Sequence, residues 1–375
     1  MEIVADPNIP FVREAFTALG TVTLVPGRKI DHLAVREADV LLVRSVTPVH
    51  SGLLGGSRVK FVGTATIGTD HIDRAYLAGC GIGFASAAGS NANSVAEYVV
   101  AALLELARRG KSRLAGKTIG VVGAGNVGSR VARYAAALGL RVLLNDPPRA
   151  RAEGPAGFVP LERLLAEADI ISLHVPLTGK GPDATRHLVH EAVLAEVNRK
   201  PVLVNTSRGA VVDNAALLRA IRAGKLSATV LDVWENEPDI SRDLLRAVDL
   251  GTPHIAGYSF DGKAAGTRMI HEAACNFFGK TPSWTPVLPP ALVDRVVINV
   301  HEGEDDEDVL RRAIARVYDI NADDAALRAR PEEFDHQRAE YPVRREFFNT
   351  EAVLKGAGDS LRRKFAALGF QVRSG

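Results

Sequence analysis

The chain holds 375 residues, enough for two or three compact units, and its 46% hydrophobic and 24% charged content is that of an ordinary globular protein. Lys plus Arg number 46 against 44 Asp plus Glu, and a formal charge of only +2 argues against an electrostatic grip on nucleic acid or anionic lipid. Cys80 and Cys275 make neither a disulfide framework nor a thiolate metal cage, and no apolar run nears the roughly 20 residues of a membrane span.

The opening residues, Met-Glu-Ile-Val-Ala-Asp, read as a strand and not as a signal peptide, so a cytoplasmic, reducing compartment is expected. Short apolar strands are predicted at 3–5, 22–25, 40–43 and 61–63, with helical spacing at 11–19 and 72–77. A long apolar helix follows over 93–109, with Asn91 or Asn93 as its cap. A second series of strands is predicted at 118–122, 142–145, 170–173, 202–205 and 228–231, apolar on both faces as strands covered by helices should be. Strands alternating with helices imply βαβ units and parallel sheets, so two doubly wound units in tandem are expected. A helix over 264–278 comes next; its return to the first unit would make that unit discontinuous. Residues 281–290 hold four prolines and cannot continue it. Beyond them lie a predicted strand at 295–300 and a helix at 309–318. The acidic run 302–308 falls at that helix's N-terminus, where the macrodipole favours negative charge. A last helix is predicted over 352–368, and this tail shows no chemical motif.

Chemistry begins at Thr118-Ile-Gly-Val-Val-Gly-Ala-Gly-Asn-Val-Gly128, an apolar strand running into Gly123-x-Gly125-x-x-Gly128 and a helix through Leu138. Gly123 suits the tight turn, Gly125 the approach of a pyrophosphate, and Gly128 close helix–strand packing. The diphosphate then meets the free N–H groups of the helix N-terminus. Asp146, at the end of the next strand, is placed to accept from ribose hydroxyls and to repel a 2′-phosphate, so NAD is favoured over NADP, a preference that Arg149 softens.

Three later segments end or follow predicted strands, where doubly wound folds bind ligands. They are Val204-Asn-Thr-Ser-Arg-Gly-Ala210, Leu231-Asp-Val-Trp-Glu-Asn-Glu-Pro238 and Thr252-Pro-His-Ile-Ala-Gly-Tyr258. Arg208, Glu237 and His254 supply a cation, an acid and an imidazole. Hydride transfer from an alcohol needs a base for the hydroxyl proton, which suits His254. Glu237 would hold that imidazole, and Arg208 would bind a substrate carboxylate. Singly, each such residue is more often structural; together, after a dinucleotide fingerprint, they read as catalytic.

With these motifs and Ser172-Leu-His-Val-Pro-Leu-Thr178, residues 1–280 resemble the D-isomer-specific 2-hydroxyacid dehydrogenases. The resemblance implies an NAD-dependent oxidoreductase in which Arg208, Glu237 and His254 are catalytic, His254 being the proton donor and acceptor. It implies further that Gly123, Gly125, Asn126, Val127, Gly128, Asp146, Thr206, Ser207, Arg208, Asp232 and Gly257 line the NAD site, with no metal. The loop 179–185 looks like an insertion relative to many members. Within the family the chain most resembles members that oxidise 4-phosphoerythronate in pyridoxal phosphate (vitamin B6) synthesis. Its opening residues, Arg44-Ser-Val-Thr47, Thr64-Ala-Thr-Ile-Gly-Thr-Asp70 and the short tail carry that likeness. Ser45, Thr66 and Tyr258 would then contact the substrate, with Arg44 as a further phosphate contact or a surface group.

The expected fold class is α/β, two doubly wound parallel-sheet domains of Rossmann or flavodoxin type with a small α+β C-terminal domain. Residues 1–92 with 258–285 would bind substrate, 93–257 would bind NAD, and 286–375 would mediate a homodimer. Enzymes acting on 3-phosphoglycerate are the nearest alternative, but many carry a regulatory βαββαβ tail that 291–375 match poorly. A non-catalytic NAD-sensing protein of this fold is a second, and a zinc alcohol dehydrogenase is disfavoured. His187 and His190 share a predicted helical face, but no Cys or acidic set completes a zinc site.

Overall fold

The computed structural model describes residues 1–110 and 113–374. The chain divides into two compact units, Met1–Asn91 with Ser259–Pro289, and Ala92–Tyr258 with Pro290–Gly375.

In the first unit, β1 (Glu2–Ala5), β2 (Thr21–Leu24), β3 (Val40–Val43), β4 (Phe61–Thr64) and β5 (Gly83–Ser86) form a parallel sheet in the order β2-β1-β3-β4-β5. Alternation along the strands feeds two cores. Val4, Leu41, Val43 and Val62 join one cluster, while Ile3, Ala5, Val40, Leu42 and Phe61 join another with Ile270 and Ala274 of the helix Phe260–Phe277. That helix starts four residues before its predicted position, because Ser259 Oγ accepts from Gly262 N at 2.8 Å and caps it. The strand β5 escaped prediction: Gly-Phe-Ala-Ser has one large apolar residue and is only half-buried. The predicted helix at 11–19 is the shorter Val12–Phe16, and that at 72–77 is displaced two residues on, to Arg74–Gly79.

In the second unit, β6 (Thr118–Val122), β7 (Arg141–Asn145), β8 (Ile170–Leu173), β9 (Val202–Asn205), β10 (Ala228–Leu231) and β11 (Leu250–Gly251) form a parallel sheet ordered β11-β10-β9-β8-β6-β7. Its register matters for the site. Asn145, Val122, Leu173, Asn205, Leu231 and Gly251 are successive partners, so six strands end in one row. Two-residue β11 is too short to show a period. Its edge is covered by the helix Ile320–Ala329, where Asp324 Oδ1 accepts from Gly251 N at 2.7 Å.

The helix Ala92–Arg109 is not capped as expected. Asn93 lies inside it, accepting from the Tyr134 hydroxyl at 2.6 Å and donating to Glu97 and Glu346, and Asn91 Oδ1 has no hydrogen-bond partner.

The tail also corrects prediction. Besides β12 (Arg295–Asn299) it contains β13 (Glu351–Lys355) and β14 (Gln371–Ser374), three parallel strands in the order β12-β13-β14. The helix predicted over 352–368 is therefore a strand, a turn at Gly356 (φ +78°) and the helix Asp359–Ala367. Ala352, Val353 and Leu354 are buried in the central strand, and a short apolar run has no period to distinguish it from a helix. The acidic run lies where the dipole argument put it: Asp305 caps the helix Asp306–Val317, and Asp306, Glu307 and Asp308 form its first turn. Tail and nucleotide sheet share their cores. Val296, Leu354, Phe347 and Phe365 cluster with Tyr98, Tyr134 and Val204, while Leu327 and Phe334 join Leu231, Trp234 and Leu244. Among the described residues, no helix is long and apolar enough to cross a membrane.

Candidate active site

The row of strand ends in the second unit carries the fingerprint and the polar residues. After β6, Gly123 has φ +87°, and a Cβ there would meet the His174 carbonyl oxygen at 2.7 Å. A Cβ on Gly128 would fall 1.9 Å from the Gly123 oxygen, so this glycine lets the helix Asn126–Ala137 press on the turn. Gly125 has open space where a side chain would stand, Gly125 and Asn126 are exposed, and no side chain caps the helix. Open backbone at a helix N-terminus fits a dinucleotide diphosphate. Val127 is half-buried in the first turn.

Asp146 follows β7 beside this turn. Its Oδ2 accepts from Ala124 N at 2.9 Å and its Oδ1 from Arg149 N at 3.0 Å, so it braces the fingerprint and caps the next helix. The Arg149 guanidinium donates to Ala124 O and pairs with Glu153. After β8, His174 lies between the Ser172 hydroxyl (2.8 Å to Nε2) and the Thr206 hydroxyl (3.3 Å to Nδ1). Burial pushes it down to about 3, so its imidazole is neutral. In the 179–185 loop, Thr178 N donates to Thr185 Oγ1 at 2.8 Å and Thr185 Oγ1 donates to Pro176 O, closing the loop on itself.

After β9, Asn205 organises the turn: its Oδ1 accepts from the Ser207 N–H and hydroxyl, and its Nδ2 donates to Arg208 O. Ser207 is thus buried and engaged, while Thr206 and Arg208 are half-buried. A Cβ on Gly209 would lie 1.9 Å from Trp234 O, so only glycine lets the Arg208 turn touch the turn after β10.

That second turn presents two acids, and geometry separates them. Glu235 Oε1 is 2.7 Å from His187 Nε2 and its Oε2 accepts from Asn214 N. Glu237 Oε1 accepts from Trp234 N at 2.9 Å, and its Oε2 lies 2.8 Å from His254 Nδ1. Burial would raise the Glu237 carboxyl, but His254, the Trp234 N–H and Arg338 together bring it below its ordinary value. A carboxylate only accepts, so Nδ1 carries the proton and neutral His254 has a bare Nε2. That nitrogen makes no hydrogen bond among the described residues.

Backbone strain and a buried acid fix His254. It has φ +58°, a conformation a non-glycine residue adopts only when its surroundings impose it, and its N–H donates to Asp232 O at 2.7 Å. The buried Asp232 carboxylate accepts from Thr252 Oγ1 (2.7 Å), Ile255 N (2.7 Å) and Ala256 N (3.0 Å), stapling both flanks of His254. The Tyr98 hydroxyl is 2.7 Å from Thr252 Oγ1, extending the chain into the core. Gly257 and Tyr258 follow, both half-buried.

In the first unit, Ser45 and Thr66 each stand two residues past the Val43–Thr64 register pair that ends β3 and β4. Ser45 is exposed; the Thr66 hydroxyl donates to Gly68 O and lies 2.8 Å from Thr64 Oγ1. His187 and His190 do not share a helical face: His187 sits in a loop at φ +51°, and His190 precedes the helix Glu191–Glu196. His174, Asn205, Tyr98 and Thr252 were not singled out in the sequence. The Ser-x-His spacing at the end of β8 was a signal for the first; the others depend on partners remote in the chain.

Residues 104–256 match the family of D-isomer specific 2-hydroxyacid dehydrogenases, NAD binding domain, and residues 287–369 match a domain of unknown function. The chain is 52% identical over 361 residues to an erythronate-4-phosphate dehydrogenase of Salinibacter ruber, covering 92% of each. It is 48% identical to one of Sodalis glossinidius, covering 100% of this chain and 99% of the other. Among solved structures it is similar to a D-lactate dehydrogenase from Aquifex aeolicus complexed with NAD and lactic acid, with TM-score 0.62 and 28% identity over 74% of this chain and 96% of the other.

Proposed function

The chain belongs to the D-isomer specific 2-hydroxyacid dehydrogenase family, and from that premise we propose that it oxidises 4-phospho-D-erythronate to 2-oxo-3-hydroxy-4-phosphobutanoate with NAD, a step of pyridoxal 5′-phosphate synthesis. The observation that carries the reading is the His254–Glu237 pair at 2.8 Å on the strand ends that also bear the dinucleotide turn. Bound NAD supplies the acceptor for the C2 hydride. Gly123, Gly125, Asn126, Val127 and Gly128 suit its diphosphate, Asp146 its ribose, and Thr206, Ser207, Asp232 and Gly257 are assigned to the rest of its site. Arg208 binds the substrate carboxylate and draws electron density toward the C2 oxygen. His254 takes the C2 hydroxyl proton at Nε2, and Glu237 stabilises the imidazolium through Nδ1. Ser45, Thr66 and Tyr258 are assigned to the sugar-acid chain and its phosphate.

The test is NADH formation by the purified protein with 4-phospho-D-erythronate and with 3-phosphoglycerate in parallel, with keto-product detection in case reduced cofactor stays bound. Faster turnover of the erythronate is expected; preference for phosphoglycerate would overturn the substrate and leave the chemistry standing.

Two further assignments belong to this reading. The free thiols Cys80 and Cys275 support a cytoplasmic enzyme. Exposed Leu292, Val297, Val343 and Phe348 on the tail, which carries a three-stranded sheet, support a homodimer formed there.

A further inference from the structure

The proton-transfer residues all come from the strand ends of the nucleotide sheet, but a charged side chain from the tail packs on Tyr258, four residues past His254. Arg338 lies on the helix Phe334–Ala339, which is anchored by Phe334, fully buried in the cluster that holds Leu231 and Trp234. Its guanidinium carbon stands 5.8 Å from the centre of the Tyr258 ring and 5.9 Å from that of Phe334. The side chain is only 17% exposed, and its Nε is buried without a hydrogen-bond partner. Asp335, three residues earlier on the same helix, is 3.5 Å away and half exposed. The Tyr341 ring also meets Tyr258, edge-on at 5.9 Å and 83°, with the Tyr341 hydroxyl donating to Asp323 Oδ2 at 2.8 Å.

A desolvated arginine with an unmet donor costs stability, and Phe334 already provides the apolar anchorage, so packing alone does not explain a cation here. Its charge finds its use in what it faces. We propose that Arg338 is a positioning residue lent to the active site by the C-terminal part of the chain, holding Tyr258, four residues past His254, by its ring. The inference rests on the dehydrogenase reading above.

The groups that bear on it are few. His254 acts on Asp232, His254 and Arg338 act on Glu237, and Tyr258, Glu237 and Asp335 act on Arg338; the Tyr341 ring packs on Tyr258 and its hydroxyl donates to Asp323. Burial works against the Arg338 charge, but Tyr258, Glu237 and Asp335 outweigh it, so the guanidinium stays protonated. Removing a positive charge makes the Glu237–His254 pair easier to protonate, so the acid limb of the rate profile must move to higher pH.

The experiment uses the full chain with Arg338→Gln and Arg338→Lys, following kcat/KM for 4-phospho-D-erythronate against pH, NAD affinity and thermal midpoint. In Arg338→Gln, kcat is expected to fall about tenfold and the acid limb to rise by about half a pH unit, with NAD affinity unchanged. Arg338→Lys, which keeps the charge but not the planar stack, should restore the limb and only part of the rate. A folded Arg338→Gln with wild-type kcat and limb would overturn the proposal. So would a loss confined to the phosphorylated substrate, with D-erythronate turned over as before, since that marks a phosphate contact. If Arg338→Gln does not fold, a displaced limb in folded Arg338→Lys still overturns it. Failure of the dehydrogenase reading would show separately, as an inactive wild type.

Discussion

His254 illustrates how a residue's chemistry is set by what it is tied to. Glu237 accepts the hydrogen bond from Nδ1, Asp232 staples both sides of its loop, and the backbone holds φ at +58°, so the bare Nε2 is fixed in direction before any substrate arrives. Asp146 is likewise tied by its neighbours. It braces Ala124 N and Arg149 N, and its carboxylate is assigned to the adenosine ribose. Asp146→Ala is expected to weaken NAD about tenfold and to narrow the preference over NADP, at a cost of about 1 kcal/mol from the lost cap. Titration of both cofactors checks this, and an unchanged preference would remove Asp146 from the ribose.

Among elements, the helix Ala92–Arg109 ties the tail to the nucleotide sheet. Glu97, wholly buried on it, accepts from Asn93 Nδ2 (2.9 Å), Phe347 N (2.8 Å) and Arg344 Nη2 (3.2 Å), and the Arg344 guanidinium lies 3.9 Å from the centre of the Tyr318 ring. Burial pushes the Glu97 carboxyl up, and Arg344 pulls against it. Arg344→Met strands that carboxyl without its cation and is expected to cost about 3–5 kcal/mol, with Glu97→Gln in the same chain recovering much of the loss. Denaturant unfolding of the single and double variants decides it; an undiminished single variant would show that the pair holds nothing.

Elements also show what could be read in the sequence. The strands β3, β6, β8, β9 and β10 were predicted with their observed bounds because each is a run of apolar residues needed on both faces of a covered sheet. Half-buried β5, two-residue β11 and the strands β13 and β14 give no such run or no period, and they were missed. The Arg208 and Glu237 segments could be read because each follows a predicted strand, and the His254 segment because Thr-Pro-His-Ile-Ala-Gly resembles a signature of the family. The work of Asp232, Asn205 and Arg338 could not, since it depends on donors and rings that only folding brings near.

For the whole molecule, continuity of the tail core with the nucleotide sheet means that residues far apart in sequence share one folded unit. Exposed Val297 and Phe348 lie outside that core and are assigned to a second copy. Light scattering at micromolar concentration should therefore give twice the 40.0 kDa of one chain, with Phe348→Glu lowering it; a single-chain mass would contradict the dimer.

The central claim is that His254 removes the proton as 4-phospho-D-erythronate is oxidised. A single turnover of His254→Ala beside the unaltered protein, followed by NADH absorbance with NAD affinity measured on the same samples, tests it most directly. The account predicts equal NAD binding and a rate lowered by about a thousandfold. Equal binding with an unchanged rate would contradict it.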